Sequence, residues 1–215
     1  MRRMNLPQPP RPSFKAQMHQ AREDAIVQAA SRLLGEKGFE SMTVDEVAAA
    51  VGIAKASLYK HFAGKDDLCT AAMLRAVERL QRFVAEMPAG LSAMERLRAL
   101  LRCLLELQLG DETPLLPGRN SALAQALRDC APYQAAMREV HARALGWIAE
   151  AQAAGHLRCD LPAEVALCVL LARSADPLPG LLRERGHADA QIIDWAMDTC
   201  LQGLATAQCG LLTSR

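Results

Sequence analysis

Residues 43–65 read TVDEVAAAVGIAKASLYKHFAGK, and this stretch decides the fold of the chain. A helix-turn-helix packs two short helices at a steep angle through a turn of three or four residues. Ala48 supplies the small side chain that such a crossing needs, and Gly52 tolerates the positive φ that the turn needs. Four apolar residues are spaced to face a shared core: Val47, Val51, Ile53 and Leu58. The stretch therefore predicts a helix-turn-helix.

Helix boundaries around this motif follow from capping and breaking residues. Thr43, with Glu46 three residues later, forms a capping box that predicts a helix start. Before it, apolar residues at three- and four-residue spacing predict a helix from Ala21 that Gly35 to Gly38 bring to an end. Further helices are predicted from near Lys55, from Gly64 to Pro88, and over about 92–109, 119–129, 133–155, 162–175 and 189–208, with a break over 176–186.

The composition favours helices throughout. Hydrophobic residues make up 51% of the chain and aromatic residues only 4%, with Ala and Leu supplying most of the apolar share. Ala, Leu, Arg, Glu and Gln lose least on entering a helix. Few segments are rich in the β-branched and aromatic residues that sheets use. We therefore expect an all-α fold.

Charge is distributed unevenly along the chain. Residues 1–65 carry ten Lys or Arg against six Asp or Glu, a net charge of +4, whereas the rest of the chain carries −3. A basic segment joined to a mildly acidic one indicates that the first binds a polyanion such as DNA. Residues 1–20 hold four prolines and are expected to be a disordered arm. Its basic residues could reach DNA, although an arm without a role in recognition is the favoured interpretation.

Several classes of protein are disfavoured. The seven cysteines are widely spaced without a CxxC pair, so we expect free thiols in a reducing compartment and no disulfide framework or zinc site. A secretory signal and a run of about 18 apolar residues are both lacking, which favours a cytoplasmic protein without a membrane partner. A phosphate loop, a paired metal-ligand motif and a nucleophile elbow are also lacking, so we expect neither an enzyme nor a cofactor.

The stretch from Ala21 to about Leu80 resembles the DNA-binding domain of the TetR family of repressors. The resemblance lies in the turn at 38–39, the TVDEVA helix start, the GIAKASLYKHF run and the KDDL opening of the fourth helix. It covers less than a third of the chain. It implies a dimeric transcriptional regulator, with repression the favoured action, that binds a palindromic operator in the major groove of double-stranded DNA.

The resemblance also implies DNA-binding roles for eight residues: Thr43, Lys55, Ala56, Ser57, Tyr59, Lys60, His61 and Lys65. Lys55, Ala56 and Ser57 begin the recognition helix, where Lys55 can donate to guanine and the Ala56 methyl can contact a thymine methyl. The other five are expected at phosphates. Three alternatives remain open: Lys55 at a phosphate, Tyr59 in packing, and His61 as an exposed bystander.

These interpretations divide the chain into three parts. Residues 1–20 form the arm, 21–66 the three-helix DNA-binding domain, and 67–215 a helical ligand-binding and dimerisation domain. One short reading helix buries too little surface for specific binding, so we expect a homodimer that reads two half-sites. The dimer contact is expected on the last two long helices, with some of these residues facing the chain's own core: Ala166, Val169, Leu170, Trp195, Met197, Leu201, Gly203 and Leu204.

The C-terminal part is expected to sense a small-molecule effector. In the resembled family such helices enclose a cavity for a small, often apolar molecule, and apolar pockets with a few polar groups are common ligand sites. The candidate ligand-binding residues are Leu101, Leu104, Gln108, His141 and Trp147. Ordinary core packing explains the same apolar stripe at least as well. The alternative function is therefore a ligand-independent or partner-controlled DNA-binding protein, including a chromosome-organising one, on the same scaffold.

Overall fold

The computed structural model describes residues 13–110, 122–173 and 176–205, and its regular structure there is entirely helical. The only β-type pairing between backbone segments in these ranges is one isolated antiparallel bridge between Leu157 and Ala205. The expected all-α fold is thus confirmed. The helices are α1 (Phe14–Ser41), α2 (Val44–Val51), α3 (Lys55–Leu58), α4 (Lys65–Ala85), α5 (Ala93–Leu109), α6 (Ala122–Asp129), α7 (Ala131–Ala153), α8 (Ala163–Ala172), α9 (Leu178–Glu184) and α10 (Asp189–Leu204).

Helix α1 begins earlier than the sequence suggested. The chain becomes helical at Phe14, not at Ala21, so the last residues of the expected disordered arm were wrongly assigned. Ser13 caps this start, because its hydroxyl accepts a hydrogen bond from the Ala16 amide at 3.3 Å. Residues 1–12 of the expected arm lie outside the described residues. At the other end, Gly38 interrupts the helix with φ at 73°, in the region where the break was predicted.

The helix-turn-helix forms as its capping and turn residues predict. Thr43 and Glu46 make both hydrogen bonds of the capping box at the start of α2. Gly52 ends α2 in the left-handed conformation, with φ at 72° and ψ at 34°. Most other residues would be strained in this turn, whereas glycine adopts it freely. Helix α3 then starts only three residues after Gly52, which fixes the crossing of the two helices.

Two hydrophobic cores hold the helices together. The N-terminal core includes Ile26, Leu34, Val47, Leu58 and Met73. The C-terminal core is built mainly from α5, α7, α8 and α10, and its members include Leu97, Leu101, Leu104, Ile148, Leu170, Ile192 and Leu201.

Helices α4 and α7 contribute to both cores. On α4, Met73 belongs to the N-terminal core and Leu80 to the C-terminal core. On α7, Met137 belongs to the first and Trp147 to the second. The predicted division at 66–67 therefore falls inside the first turn of a helix that both cores share. A change in the position of α4 or α7 therefore alters the packing of both cores.

The predicted break over 176–186 is wrong, because α9 lies there. Its prolines misled the sequence analysis: Pro177 precedes the helix and Pro179 occupies its first turn, where a missing amide hydrogen has no cost. Within the described residues, the other late helices agree with their predicted spans to within a few residues. The predicted helical residues 119–121, 174–175 and 206–208 lie outside the described residues. No helix in the described ranges is long and apolar enough to cross a membrane.

Candidate DNA interface

The reading segment comprises residues 54–61, and the buried Leu58 anchors it in the N-terminal core. Leu58 is fully buried in the N-terminal core, whereas Lys55, Ala56, Tyr59 and Lys60 are exposed around it. After α3 ends, the His61 amide donates to the Leu58 carbonyl at 2.9 Å, which continues the segment as a tight turn. The segment therefore presents four side chains outward from a fixed backbone.

Lys55 is already paired within the protein. Its Nζ lies 2.9 Å from Oδ1 of Asp45, near the start of α2, and both side chains are more than half exposed. The hydrogen bond from Lys55 to Asp45 raises the pKa of the lysine above its ordinary value, so the ammonium stays charged. Asp45 joins α2 to α3, a contact that the sequence analysis missed. Lys55 can reach DNA only by sharing or leaving this carboxylate.

Thr43 also has partners at the start of α2. Its hydroxyl accepts from the Glu46 amide at 3.3 Å and donates to Glu46 Oε2 at 2.9 Å. Lys37 of α1 donates to the same carboxyl group at 2.6 Å. The hydrogen bond from Lys37, followed by those from Thr43, lowers the pKa of Glu46 to about 2. The helix start is thus a fixed network.

Lys65 lies where the start of α4 packs against the end of α1. Its ammonium donates to the Glu40 carbonyl at 3.2 Å and lies 4.5 Å from the centre of the Phe39 ring. The side chain is half-buried at the N-terminus of α4. These contacts hold the lysine against the protein, and its expected phosphate contact stays a prediction.

His61 packs against α1. Its side chain is only 4% exposed, and its ring packs at 4.3 Å, centre to centre, against His19 of α1. The alternative of an exposed bystander is therefore wrong for this residue, and its expected phosphate contact stays a prediction. The sequence analysis missed His19 because the first turns of α1 were assigned to the arm.

The five candidate ligand-binding residues lie on α5 and α7. Leu101 and Leu104 are fully buried in the C-terminal core, and Trp147 is buried beside them, with the Arg96 guanidinium 6.0 Å from its ring. None of the five lines either of the two described cavities. The larger cavity, about 920 Å³, lies along α1, α2 and α4, and the smaller, about 70 Å³, lies between α9 and α10.

Two of the five candidates nevertheless carry unpaired buried atoms. Gln108 donates to the Asp176 carbonyl, but its Oε1 is buried without a hydrogen-bond partner among the described residues. His141 Nε2 is likewise buried without a hydrogen-bond partner among the described residues, and burial lowers the pKa of this histidine. Buried polar atoms without partners are uncommon and call for an explanation.

Each of the two helices expected at the dimer contact, α8 and α10, has a buried face and an exposed face. Five of the eight named residues are buried and face the chain's own core, as was expected for some of them: Ala166, Leu170, Met197, Leu201 and Leu204. Trp195 is 43% exposed on α10, Gly203 is exposed, and Val169 is partly exposed. On α8, Val165 and Cys168 are exposed one turn apart. Regular helical spacing alone could not tell which stripe faces inward.

Comparison with known proteins gives a match over the segment that forms this interface. Residues 26–72 match the family described as "Bacterial regulatory proteins, tetR family". The HTH-type transcriptional regulator BetI of Rhizobium meliloti is 33% identical over 89 residues, which are 41% of this chain and 44% of BetI. The biofilm operon icaADBC HTH-type negative transcriptional regulator IcaR of Staphylococcus aureus is 44% identical over 46 residues, 21% of this chain and 25% of IcaR. The chain thus spans less than half the length of either relative.

A solved structure extends the likeness to the C-terminal helices. The transcriptional regulator FadR from Bacillus subtilis, in complex with stearoyl-CoA, superposes with a TM-score of 0.60. The superposition covers 84% of this chain and 98% of FadR at 17% sequence identity. At this identity the likeness concerns the fold alone. The predicted arrangement, a helix-turn-helix followed by a helical C-terminal part, is therefore confirmed as a known one.

Proposed function

Because this chain belongs to the tetR family of bacterial regulatory proteins, we propose that it acts as a dimeric transcriptional repressor that binds a palindromic operator through the major groove. The observation that carries this proposal is the reading segment. Four exposed side chains surround the fully buried Leu58, which fixes their direction. A short helix presented N-terminus first is the element that enters the major groove in helix-turn-helix proteins.

The exposed residues have separable roles in this proposal. Lys55 donates to a guanine edge after exchanging its partner Asp45, and Ala56 contacts a thymine methyl. Tyr59 and Lys60 bind phosphates and fix the register of the protein on the duplex. Ser57, Thr43 and Lys65 add polar contacts at the margins. Since Ala54 and Ala56 offer no side-chain hydrogen bonds, part of the sequence preference comes from the shape of the DNA.

The dimer forms through the outward faces of α8 and α10. Val165 and Cys168 are exposed on α8, Trp195 is exposed on α10, and the two helices contact each other. In this proposal the three residues belong to the dimer surface. Exposed aromatic side chains of this kind dominate the energy of many protein interfaces. A two-fold axis along this surface places the two reading segments for successive half-sites. Occupation of a promoter by such a dimer blocks transcription, in line with the name of IcaR as a negative regulator.

In this proposal the effector binds between α5 and α7. The unpaired atoms of Gln108 and His141 supply polar anchors, and Leu101, Leu104 and Trp147 supply the apolar wall. Entry of an effector moves α7, and α7 shares the N-terminal core through Met137. Release from DNA follows because the effector binds better to the dimer whose reading segments are wrongly spaced.

A footprint on the chain's own upstream intergenic region tests the DNA-binding proposal. We expect two protected half-sites related by two-fold symmetry, and a duplex of scrambled sequence serves as the control. Equal binding to both duplexes at physiological salt would overturn the proposal, because phosphate contacts alone give binding without sequence preference.

The effector proposal has a separate test. FadR was solved with stearoyl-CoA, so stearoyl-CoA is titrated into the operator complex and acetyl-CoA serves as a control with the same head group. Release by stearoyl-CoA alone supports an apolar effector. Lack of release, together with an unchanged environment of Trp147 by fluorescence, excludes this long-chain effector.

The alternative function, a ligand-independent DNA-binding protein, has one observation in its favour. Leu101 and Leu104 are fully buried in a packed core, and both described cavities lie elsewhere. This alternative requires binding at many genomic sites, which a genome-wide immunoprecipitation distinguishes from binding at one or a few operators.

A further inference from the structure

Three side chains with metal-binding atoms meet where α1 packs against the end of the reading segment. His19 and Glu23 are one turn apart on α1 and therefore lie on the same face of that helix. Nδ1 of His19 and Nδ1 of His61 each lie 3.8 Å from Oε2 of Glu23. One possible ligand atom from each of the three side chains lies within 4.8 Å of the others.

His61 supplies a second and independent observation. Its side chain is 4% exposed, and its Nδ1 is buried without a hydrogen-bond partner among the described residues. The 3.8 Å separation from Glu23 is too long for a hydrogen bond. Leaving a buried imidazole nitrogen unpaired costs free energy. A cation held between this nitrogen and the Glu23 carboxylate would pair both.

We propose that His19, Glu23 and His61 bind one divalent transition-metal ion of the zinc class. Imidazole and carboxylate are ligands that Zn²⁺ and Co²⁺ accept, with metal–nitrogen and metal–oxygen distances of about 2.0–2.2 Å. Tetrahedral ligands at such distances are separated by roughly 3.4 Å, so side-chain rotations must close both the 3.8 Å gaps to Glu23 and the wider separation, within 4.8 Å, between ligand atoms. His19 is 59% exposed, which gives the ion a path from solvent and leaves a position for water.

Metal binding changes both the rigidity and the charge beside the reading segment. The ion links the first turns of α1 to the residue that follows Lys60. With neutral histidines the three side chains carry one negative charge, and a divalent ion converts it to one positive charge. Because operator DNA is a polyanion, the loaded protein binds it more tightly. This consequence, unlike metal binding itself, rests on the proposed function.

Sequence reasoning saw no paired metal-ligand motif, for a physical reason. His19 lies in the segment assigned to the arm and Glu23 lies just after it, so the i, i+4 spacing of the two residues could not be recognised as helical. The third ligand is distant in sequence and is brought in only by the packing of the reading segment on α1. The metal site can therefore be recognised only in the tertiary structure.

Titration of the full chain with Co²⁺ and Zn²⁺ tests the metal site. We expect one ion per chain, with visible Co²⁺ absorption of the intensity typical of four-coordinate nitrogen and oxygen ligation. Glu23→Gln keeps the shape of the side chain and so preserves the packing, whereas His19→Ala also removes the ring that packs against His61. Each is expected to weaken Co²⁺ binding by roughly 10-fold or more. His156→Ala, at an exposed histidine elsewhere, is the matched control and leaves binding unchanged.

Cysteine is the competing ligand for these ions, and the same spectrum separates it from the proposed site. A sulfur-to-cobalt charge-transfer band, or binding that Glu23→Gln and His19→Ala leave unchanged, would overturn the proposal. Absence of saturable Co²⁺ binding would overturn it as well. Operator affinity is then measured with Zn²⁺ and with chelator, and a several-fold increase with Zn²⁺ is expected. If no duplex binds under either condition, the function proposed above fails while the Co²⁺ result stands by itself.

Discussion

Lys55 of the reading segment is ion-paired with Asp45 of α2, with 2.9 Å between Nζ and Oδ1. The pair joins the two helices of the helix-turn-helix on the face that the proposal directs toward DNA. It has two opposing effects on binding. It fixes the lysine before DNA arrives, and it also places a carboxylate close to the phosphates, where like charges repel.

Replacing Asp45 by Asn is expected to strengthen operator binding. The change frees Lys55 and removes a negative charge from the interface, while an amide oxygen remains to accept a weaker hydrogen bond. Exposed pairs of this kind are weak, so an increase of roughly 2- to 5-fold is expected. Fluorescence anisotropy with the footprinted duplex measures it. Asp194→Asn, which removes an exposed carboxylate paired with Arg102 far along the chain, is the control. Weaker binding by Asp45→Asn would show that fixing Lys55 matters more than repulsion.

Lys60→Ala is expected to weaken binding to every duplex alike. Lys60 is exposed on the reading segment and is proposed to contact a phosphate, which carries no sequence information. Loss of one phosphate contact lowers the slope of log affinity against log salt by about 0.9. Affinities for operator and scrambled duplexes are measured over a range of salt concentrations. Arg98→Ala removes an exposed basic residue on α5 and should leave the salt slope unchanged. A loss confined to the operator would instead assign Lys60 to a base edge.

Two capping boxes among the described residues allow a matched stability experiment. Thr43 with Glu46 caps α2, and Ser92 with Glu95 caps α5. Thr43→Ala and Ser92→Ala should each cost about 1 kcal/mol of unfolding free energy. For a chain of this length that lowers Tm by roughly 2–4 °C. Only Thr43→Ala should also weaken operator binding, and equal operator affinities for both variants would remove Thr43 from the interface.

The depressed pKa of Glu46 predicts a pH dependence of stability. Hydrogen bonds from Lys37 and Thr43 lower this pKa from 4.5 to about 2 in the folded chain. A carboxyl group with a lowered folded pKa stabilises the fold above its unfolded pKa, and this contribution disappears as the pH falls toward the folded value. The stability difference between the native chain and Glu46→Gln should thus be constant above about pH 5 and shrink between pH 4.5 and 2. Urea unfolding at several pH values measures it. If the stability difference does not change with pH, the effect of Glu46→Gln comes from the shape of the side chain rather than from its charge.

Sequence reasoning succeeded where local physics decides the structure. The capping box at Thr43, the left-handed turn at Gly52 and the burial of Leu58 each follow from residue type and spacing. These three features fix the helix-turn-helix, and most of the candidate interface comes with them.

It failed where tertiary packing decides. His61 reads as an exposed polar residue beside Lys60, yet the extension of α1 to Phe14 covers its ring with His19. Leu170 and Trp195 are both apolar and both lie at helical spacing, but only Trp195 remains exposed. Which stripe of a helix faces inward depends on the neighbouring helices, and one sequence does not contain that information.

Trp195 supplies the test of the proposed dimer. It is 43% exposed on α10 and lines the small α9–α10 cavity. A carboxylate there would be buried without a partner in the dimer, so Trp195→Glu should raise the dimer dissociation constant by at least about 30-fold. Sedimentation equilibrium measures the association. Phe83→Glu is the matched control, because Phe83 is also exposed but lies on α4. Since each reading segment is proposed to bind one half-site, the Trp195 variant should also lose operator affinity while its helical content is unchanged. If both variants stay dimeric, the two-fold axis lies elsewhere, and the outward face of α8 and α10 has another role.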